Sequence, residues 1–247
     1  MFDITYKVAM EIIQHEAIVR QAYKDSVGVW TWGIGVTSGS GHKVERYIGQ
    51  PQPMKKVLAV YVWLLEDRYA PAVMRAFAGH DLTEAQFAAA LSFHWNTGAI
   101  GSASWVQQYK SGNISGAKKA FMNWKKPPEI ITRRKSERDL FFDGKWTGNG
   151  TAAEYTQVRS SGSIVWGSRK NVDISRSLKL ALSHTPALDH VKSTPAQPPN
   201  LKTHTSAPLT TITGVTAAVV ASAGAYMSGV ICNWPWLAKL FNASCGG

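Results

Sequence analysis

A chain of 247 residues, 45% of them hydrophobic, is long enough to bury a sizeable core, which excludes wholesale disorder. Lys and Arg outnumber Asp and Glu by 27 to 16, and the resulting +11 favours polyanionic partners without choosing among nucleic acid, anionic lipid and cell wall. Cys232 and Cys245 exclude a disulfide framework, and no Cys-x-x-Cys or His-x-x-x-His spacing points to a metal or any other cofactor. Asp3, Glu11, Glu16 and Asp25 punctuate the first thirty residues, so no N-terminal signal peptide is expected.

Residues 4–16 carry Ile4, Val8 and Ile12 at helical spacing and predict an amphipathic helix. From Tyr23 to Val36 the pattern changes. Asp25-Ser26-Val27-Gly28 is turn chemistry, Val29 to Trp32 is β-prone, and Gly33 and Gly35 flank Ile34, which together predict a short hairpin or small sheet. Pro53 opens a long helical stretch from Met54 to about Met74. Asp81 or Thr83 caps a second strong helix, whose apolar run from Phe87 to Trp95 marks it as central and buried. Residues 115–124 and 132–142 are further helical segments.

Beyond Trp146 the pattern weakens. Residues 1–146 read as the main folded domain, 147–184 as its extension, and 185–208 as a linker rich in Pro, Ser and Thr. Residues 209–232 hold no charge and are long enough to span a bilayer as a helix, followed by Trp234 and Trp236 where interfacial aromatics sit. Residues 209–247 are therefore expected to form a membrane segment and a Trp/Cys tail, associating with the inner membrane.

Glu16 falls at the end of the first helix, Asp25 nine residues later in the turn, and Thr31 six further on in a strand. Glycoside hydrolysis needs a protonated acid at the leaving oxygen and a carboxylate across the sugar. The apolar helix face and the negative end of the helix dipole disfavour a charge on Glu16, whereas the polar turn favours one on Asp25. Unlike surroundings of this kind separate acid from base. Two acids nine apart are common, however, and spacing alone equally fits a solvated Glu16 and a turn-forming Asp25.

The block His15-Glu16-Ala17, with Ala22 through Gly35, closely resembles phage lysozymes of the T4 type, the endolysins of glycoside hydrolase family 24. Their pattern Glu-x8-Asp-x5-Thr, followed by a glycine-rich strand end, is complete here. Residues 81–105 resemble the family's central helix and Asn-x-Gly turn, and Arg133 to Arg138 its late Arg-rich helix, so the likeness covers about residues 4–145. Ala17 replaces the usual Gly after the acid, and Val36 the His that commonly follows Gly-x-Gly.

The resemblance implies an α+β lysozyme-like fold: a mainly helical lobe, a small sheet flanking a cleft, and here a C-terminal extension. It implies hydrolysis of the β-1,4 bond between N-acetylmuramic acid and N-acetylglucosamine for host cell lysis. Glu16 would be the general acid, Asp25 would position or deprotonate the attacking water, and Thr31 would hold that water. Inversion predicts carboxyl groups roughly 6.5–9.5 Å apart.

Around this triad, Trp32, Asn96 and Arg134 are expected to bind substrate. One of Trp30 and Trp32 belongs in the core and the other stacks on a sugar. Asn96 either caps its helix ahead of Gly98 or bonds N-acetyl groups, and Arg134 either pairs with Glu16 or faces solvent. His15 reads as structural. Residues 1–150, with 19 basic and 13 acidic residues, suit an anionic wall, and no nucleic-acid motif interleaves their basic clusters with aromatics. Bacterial peptidoglycan is thus the expected partner of a monomer located in the host cytoplasm or at the inner membrane. A phage pore-former, a holin, would admit it to the periplasmic wall. The rival expectation is a membrane-active or membrane-anchored wall-binding protein whose lysozyme-like domain is inactive.

Overall fold

The computed structural model describes residues 3–148 and 150–183. The linker 185–208, the apolar segment 209–232 and both cysteines lie outside the described residues. Among the described residues no helix is long and apolar enough to cross a membrane.

Helix α1 (Tyr6–Gln14) starts where the Thr5 hydroxyl accepts the Val8 N–H at 3.2 Å. It buries Val8, Ala9, Ile12 and Ile13 completely. Its end comes two residues before the predicted one, because Ile18 and Val19 favour extended chain. Strand β1 (Ala17–Lys24) pairs antiparallel with β2 (Trp30–Ile34), which pairs in turn with β3 (Val36–Thr37). Ile18 faces Ile34, but Tyr23 faces Thr31, so β1 carries extra residues between these points and bends there.

The long helical stretch is α2 (Met54–Leu64), a π-turn over Leu65–Tyr69, and α3 (Ala70–Ala76). Pro71 supplies a reason for the wide turn, since its ring cannot sit against the carbonyl four residues earlier in a regular helix. Helix α4 (Glu84–Thr97) opens with a reciprocal capping box between Thr83 and Gln86. It is apolar on every side and runs through the centre of the core, closing with Gly98 at φ +66°. Helices α5 (Ser104–Lys110), which the periodicity did not announce, and α6 (Ile114–Phe121) follow; α7 (Ile131–Asp143) packs on α4. Trp105 and Phe121 lie 4.6 Å apart and Trp105 and Phe141 4.9 Å, an aromatic centre for the helical part.

Residues beyond α7 turn back to the sheet. The buried Glu11 carboxylate accepts the Thr147 N–H at 3.2 Å and its hydroxyl at 2.6 Å, tying this return to α1. Strand β4 (Ala152–Tyr155) then pairs parallel to β1, and β5 (Arg169–Val172) antiparallel to β4, giving the sheet order β3-β2-β1-β4-β5. Helix α8 (Ser175–Ser183) buries Leu178 and packs on α2.

Candidate active site

Glu16 stands in the bend between α1 and β1, with its N–H bonded to the Ile13 carbonyl at 3.0 Å. Its side chain is 19% exposed and lies over the Cα of Gly35, the residue between β2 and β3. A Cβ on Gly35 would come within 2.9 Å of Glu16 Oε2 and 3.3 Å of Trp95 Nε1 on α4. Gly35 also has φ +68°, so both its backbone and its neighbours require glycine. Arg133 on α7 completes the surroundings, its Nη1 donating to Glu16 Oε1 at 2.5 Å.

Asp25 begins a three-residue hairpin loop. Its N–H bonds the Val29 carbonyl at 3.0 Å, the Gly28 N–H bonds its carbonyl at 3.1 Å, and Gly28 takes φ +87°. Asp25 Oδ1 accepts the N–H groups of Val27 at 3.0 Å and Val29 at 2.8 Å, which fixes the carboxylate to its own loop. The Thr31 hydroxyl donates to the Val29 carbonyl at 3.2 Å. Asp25 and Thr31 are therefore both tied to Val29, one through its N–H and the other through its C=O.

Tyr23, opposite Thr31 in the β1–β2 ladder, links the two carboxylates electrostatically. Burial, followed by the charges of Glu16 and Asp25, raises its pKa well above the ordinary tyrosine range. The residue was part of the sequence motif but had no assigned role. Its place across from Thr31 becomes visible only with the shifted register.

Two of the expected contacts come out differently. Trp32 is completely buried, 4.3 Å from the Tyr47 ring, with Nε1 donating to the Arg20 carbonyl at 2.8 Å, so its face is closed to a sugar. Trp32 is thus the core member of the pair, and Trp30, two residues away on the same strand face, is half-buried. Arg134 is also fully buried and does not reach Glu16. Consecutive helical residues point about 100° apart, and it is Arg133 that reaches the acid. Asn96 is half-buried and its side-chain oxygen accepts from Arg134, while Gly98 provides the helix cap.

Behind Glu16 lies a closed polar network. Glu137 Oε1 accepts from Arg133 Nε at 2.8 Å and from the Ser92 hydroxyl at 2.6 Å; Glu137 Oε2 accepts from Arg134. Burial opposes a charge on Glu137, but Arg134 and Arg133 outweigh it and hold the carboxyl below its usual range. Burial likewise opposes the Arg133 cation, and Glu16 with Glu137 outweighs that, raising its pKa. Two buried guanidiniums thus share Glu137, and one of them, Arg133, also reaches Glu16. His15 beside them is neutral: burial and the Arg133 charge push it down to about 4.

The endolysin of Escherichia coli O157:H7 phage FAHEc1 shares this fold, with a TM-score of 0.53 at 22% identity over 60% of this chain and 98% of that one. The muramidase domain of SpmX from Asticaccaulis excentricus (23% identity, TM-score 0.47) and a P22 lysozyme mutant (27%, 0.46) each align with 57% of this chain and 99% of their own. Among curated proteins, no sequence matches. The sequence model of the Phage lysozyme family matches residues 13–137, which include Glu16, Asp25, Thr31 and Arg133. The chain accordingly belongs to the phage lysozyme family and is a glycoside hydrolase of peptidoglycan.

Proposed function

We propose that the enzyme hydrolyses the β-1,4 bond between N-acetylmuramic acid and N-acetylglucosamine in one inverting displacement. Glu16 gives its proton to the leaving glycosidic oxygen. A water donates one hydrogen to Asp25 and the other to the Thr31 oxygen, leaving a lone pair for the anomeric carbon. The water oxygen joins that carbon as the glycosidic bond breaks, and the water's proton passes to Asp25. Arg133 stands ready for the carboxylate that forms on Glu16.

The observation that carries this reading is the shared anchoring of Asp25 and Thr31 on Val29. With its donor spent on the Val29 carbonyl, the Thr31 hydroxyl offers only acceptor lone pairs to a water. A carboxylate and a hydroxyl acceptor in fixed relation are what a nucleophilic water needs.

The test compares wild type, Glu16→Gln and Asp25→Asn for clearing purified peptidoglycan, with product masses recorded. Each variant should lose on the order of 10²- to 10⁴-fold in rate. Wild-type products should carry the added water of hydrolysis. Anhydro sugars, or a Glu16→Gln variant that clears the substrate normally, would overturn the proposal.

Host cell lysis is the corresponding biological role, with the enzyme made in the cytoplasm or held at the inner membrane by residues 209–232. A holin would release it to the periplasmic wall. Protease protection in intact spheroplasts decides the location and the orientation of the segment.

A further inference from the structure

The loop that holds Asp25 has a counterpart. In Arg159–Ser163, the Arg159 N–H bonds the Ser163 carbonyl at 2.9 Å and the Gly162 N–H bonds the Arg159 carbonyl at 2.9 Å. Gly162 has φ +90°, as Gly28 has φ +87° in Asp25–Val29. Both are three-residue hairpin loops with glycine last, Ser26-Val27-Gly28 in one and Ser160-Ser161-Gly162 in the other.

The second loop is the tip of an arm formed by residues 152–172, which runs beside β1. The arm is fixed at its base by the parallel pairing of β4 with β1 and by Arg20 Nε donating to Glu154 Oε1 at 2.6 Å. The bridge between Val158 and Ile164 continues it toward the tip. There the Gly162 carbonyl accepts the N–H of Lys24, the residue before Asp25, at 2.8 Å. Gly162 is buried, and a Cβ on it would lie 3.0 Å from Trp30 Cη2 and 3.1 Å from Lys24 Cγ. Lys24 and Trp30 are partners across the mouth of the Asp25 loop, so Gly162 touches both of its stems.

On its β2 side, β1 pairs at Tyr23 and Lys24 but is irregular between Val19 and Tyr23, so only a short stretch of ladder holds the Asp25 loop from that side. The Gly162 bond holds it from the opposite side. We infer that Gly162 is a positioning residue for the reaction, setting the direction in which the chain enters Asp25 and thereby the relation of that carboxylate to Thr31. The inference rests on the proposed role of Asp25. It also makes the site dependent on residues beyond 137, where the match to the family ends.

The full chain carrying Gly162→Ala is compared with wild type, Ser160→Ala and Asp25→Asn for kcat and KM on soluble glycan fragments, with circular dichroism as the check on folding. A misplacement of about an ångström is enough to cost a catalytic group much of its effect, so Gly162→Ala should lose at least ~10-fold in kcat with KM within about twofold. Amide exchange at Val27 and Val29, the donors to Asp25, should quicken in the same variant. Ser160→Ala, two residues away in the same loop, should match wild type. A folded Gly162→Ala with wild-type kcat, or with a loss confined to KM, overturns the inference while an inactive Asp25→Asn leaves the Asp25 assignment standing. An active Asp25→Asn removes that assignment and the inference with it. Should Gly162→Ala fail to fold, exchange in the wild-type protein decides: the Lys24 amide should be protected, and exchange as fast as that of Ser26 overturns the inference.

Discussion

Arg133 Nη1 donates to Glu16 Oε1 at 2.5 Å while Nε of the same guanidinium donates to Glu137 Oε1 at 2.8 Å, so one cation joins the proposed acid to a buried carboxylate. Its Nη2 reaches the Ser92 carbonyl at 3.2 Å. Arg133→Met leaves both carboxylates short of a partner and should cost about 3–5 kcal/mol of stability, since removing one partner strands buried charge. Arg133→Lys keeps the charge but not the planar fork, and should recover less than half of the loss. Denaturant midpoints of the two variants measure both effects.

Gly35→Ala adds a methyl group where Glu16 Oε2 would be 2.9 Å away, on a backbone at φ +68°. The left-handed conformation alone should cost about 1–2 kcal/mol. Displacement of the acid should lower the rate by at least ~10-fold. Thermal unfolding and turbidity assays on the same preparation separate the two effects.

Trp32→Ala should behave as a core truncation. The ring is completely buried and packed against Tyr47, so the expected loss is about 3–5 kcal/mol of stability with KM for glycan fragments unchanged. A raised KM in a variant of undiminished stability would restore a sugar-binding role.

Acid should destabilise the fold through its buried histidines. Burial, then Arg133, lowers His15 from 6.5 to about 4, and burial, then Arg75, lowers His94 to about 4. The unfolded chain therefore takes up protons that the folded chain refuses. Stability from each is complete above pH 6.5 and drains away as the pH falls toward 4. Each contributes a slope of up to about 1.4 kcal/mol per pH unit in that window. Urea midpoints across the window should fall accordingly, and His15→Gln should flatten the curve by one proton.

The triad was legible because its chemistry is compressed into sixteen residues, where turn-forming Asp25 and Gly28 and the β-prone Val29 to Trp32 agree with one another. The central helix was legible for a similar reason: Thr83, Gln86 and the apolar run make one consistent pattern. What eluded the sequence depends on orientation. Arg133 and Arg134 are adjacent in the chain, and only the rotation of α7 against α4 decides which one meets Glu16. Trp30 and Trp32 share a strand face, and the packing of Tyr47 decides that the second is closed off. The arm at 152–172 was hidden by its Ser/Gly composition, although Arg-Ser-Ser-Gly-Ser repeats the turn grammar of Asp-Ser-Val-Gly-Val. That likeness was the available signal.

The parallel pairing of Ala17 with Ala153 has a consequence for synthesis. One edge of β1 leaves the ribosome early, yet its partner strand is translated only after nearly all the helices. At about 5–20 residues per second the nascent chain carries an unpaired strand edge for roughly ten seconds. Such an edge is a template for intermolecular pairing. Messages truncated near codon 146 should therefore yield insoluble product even though every proposed catalytic residue has been translated.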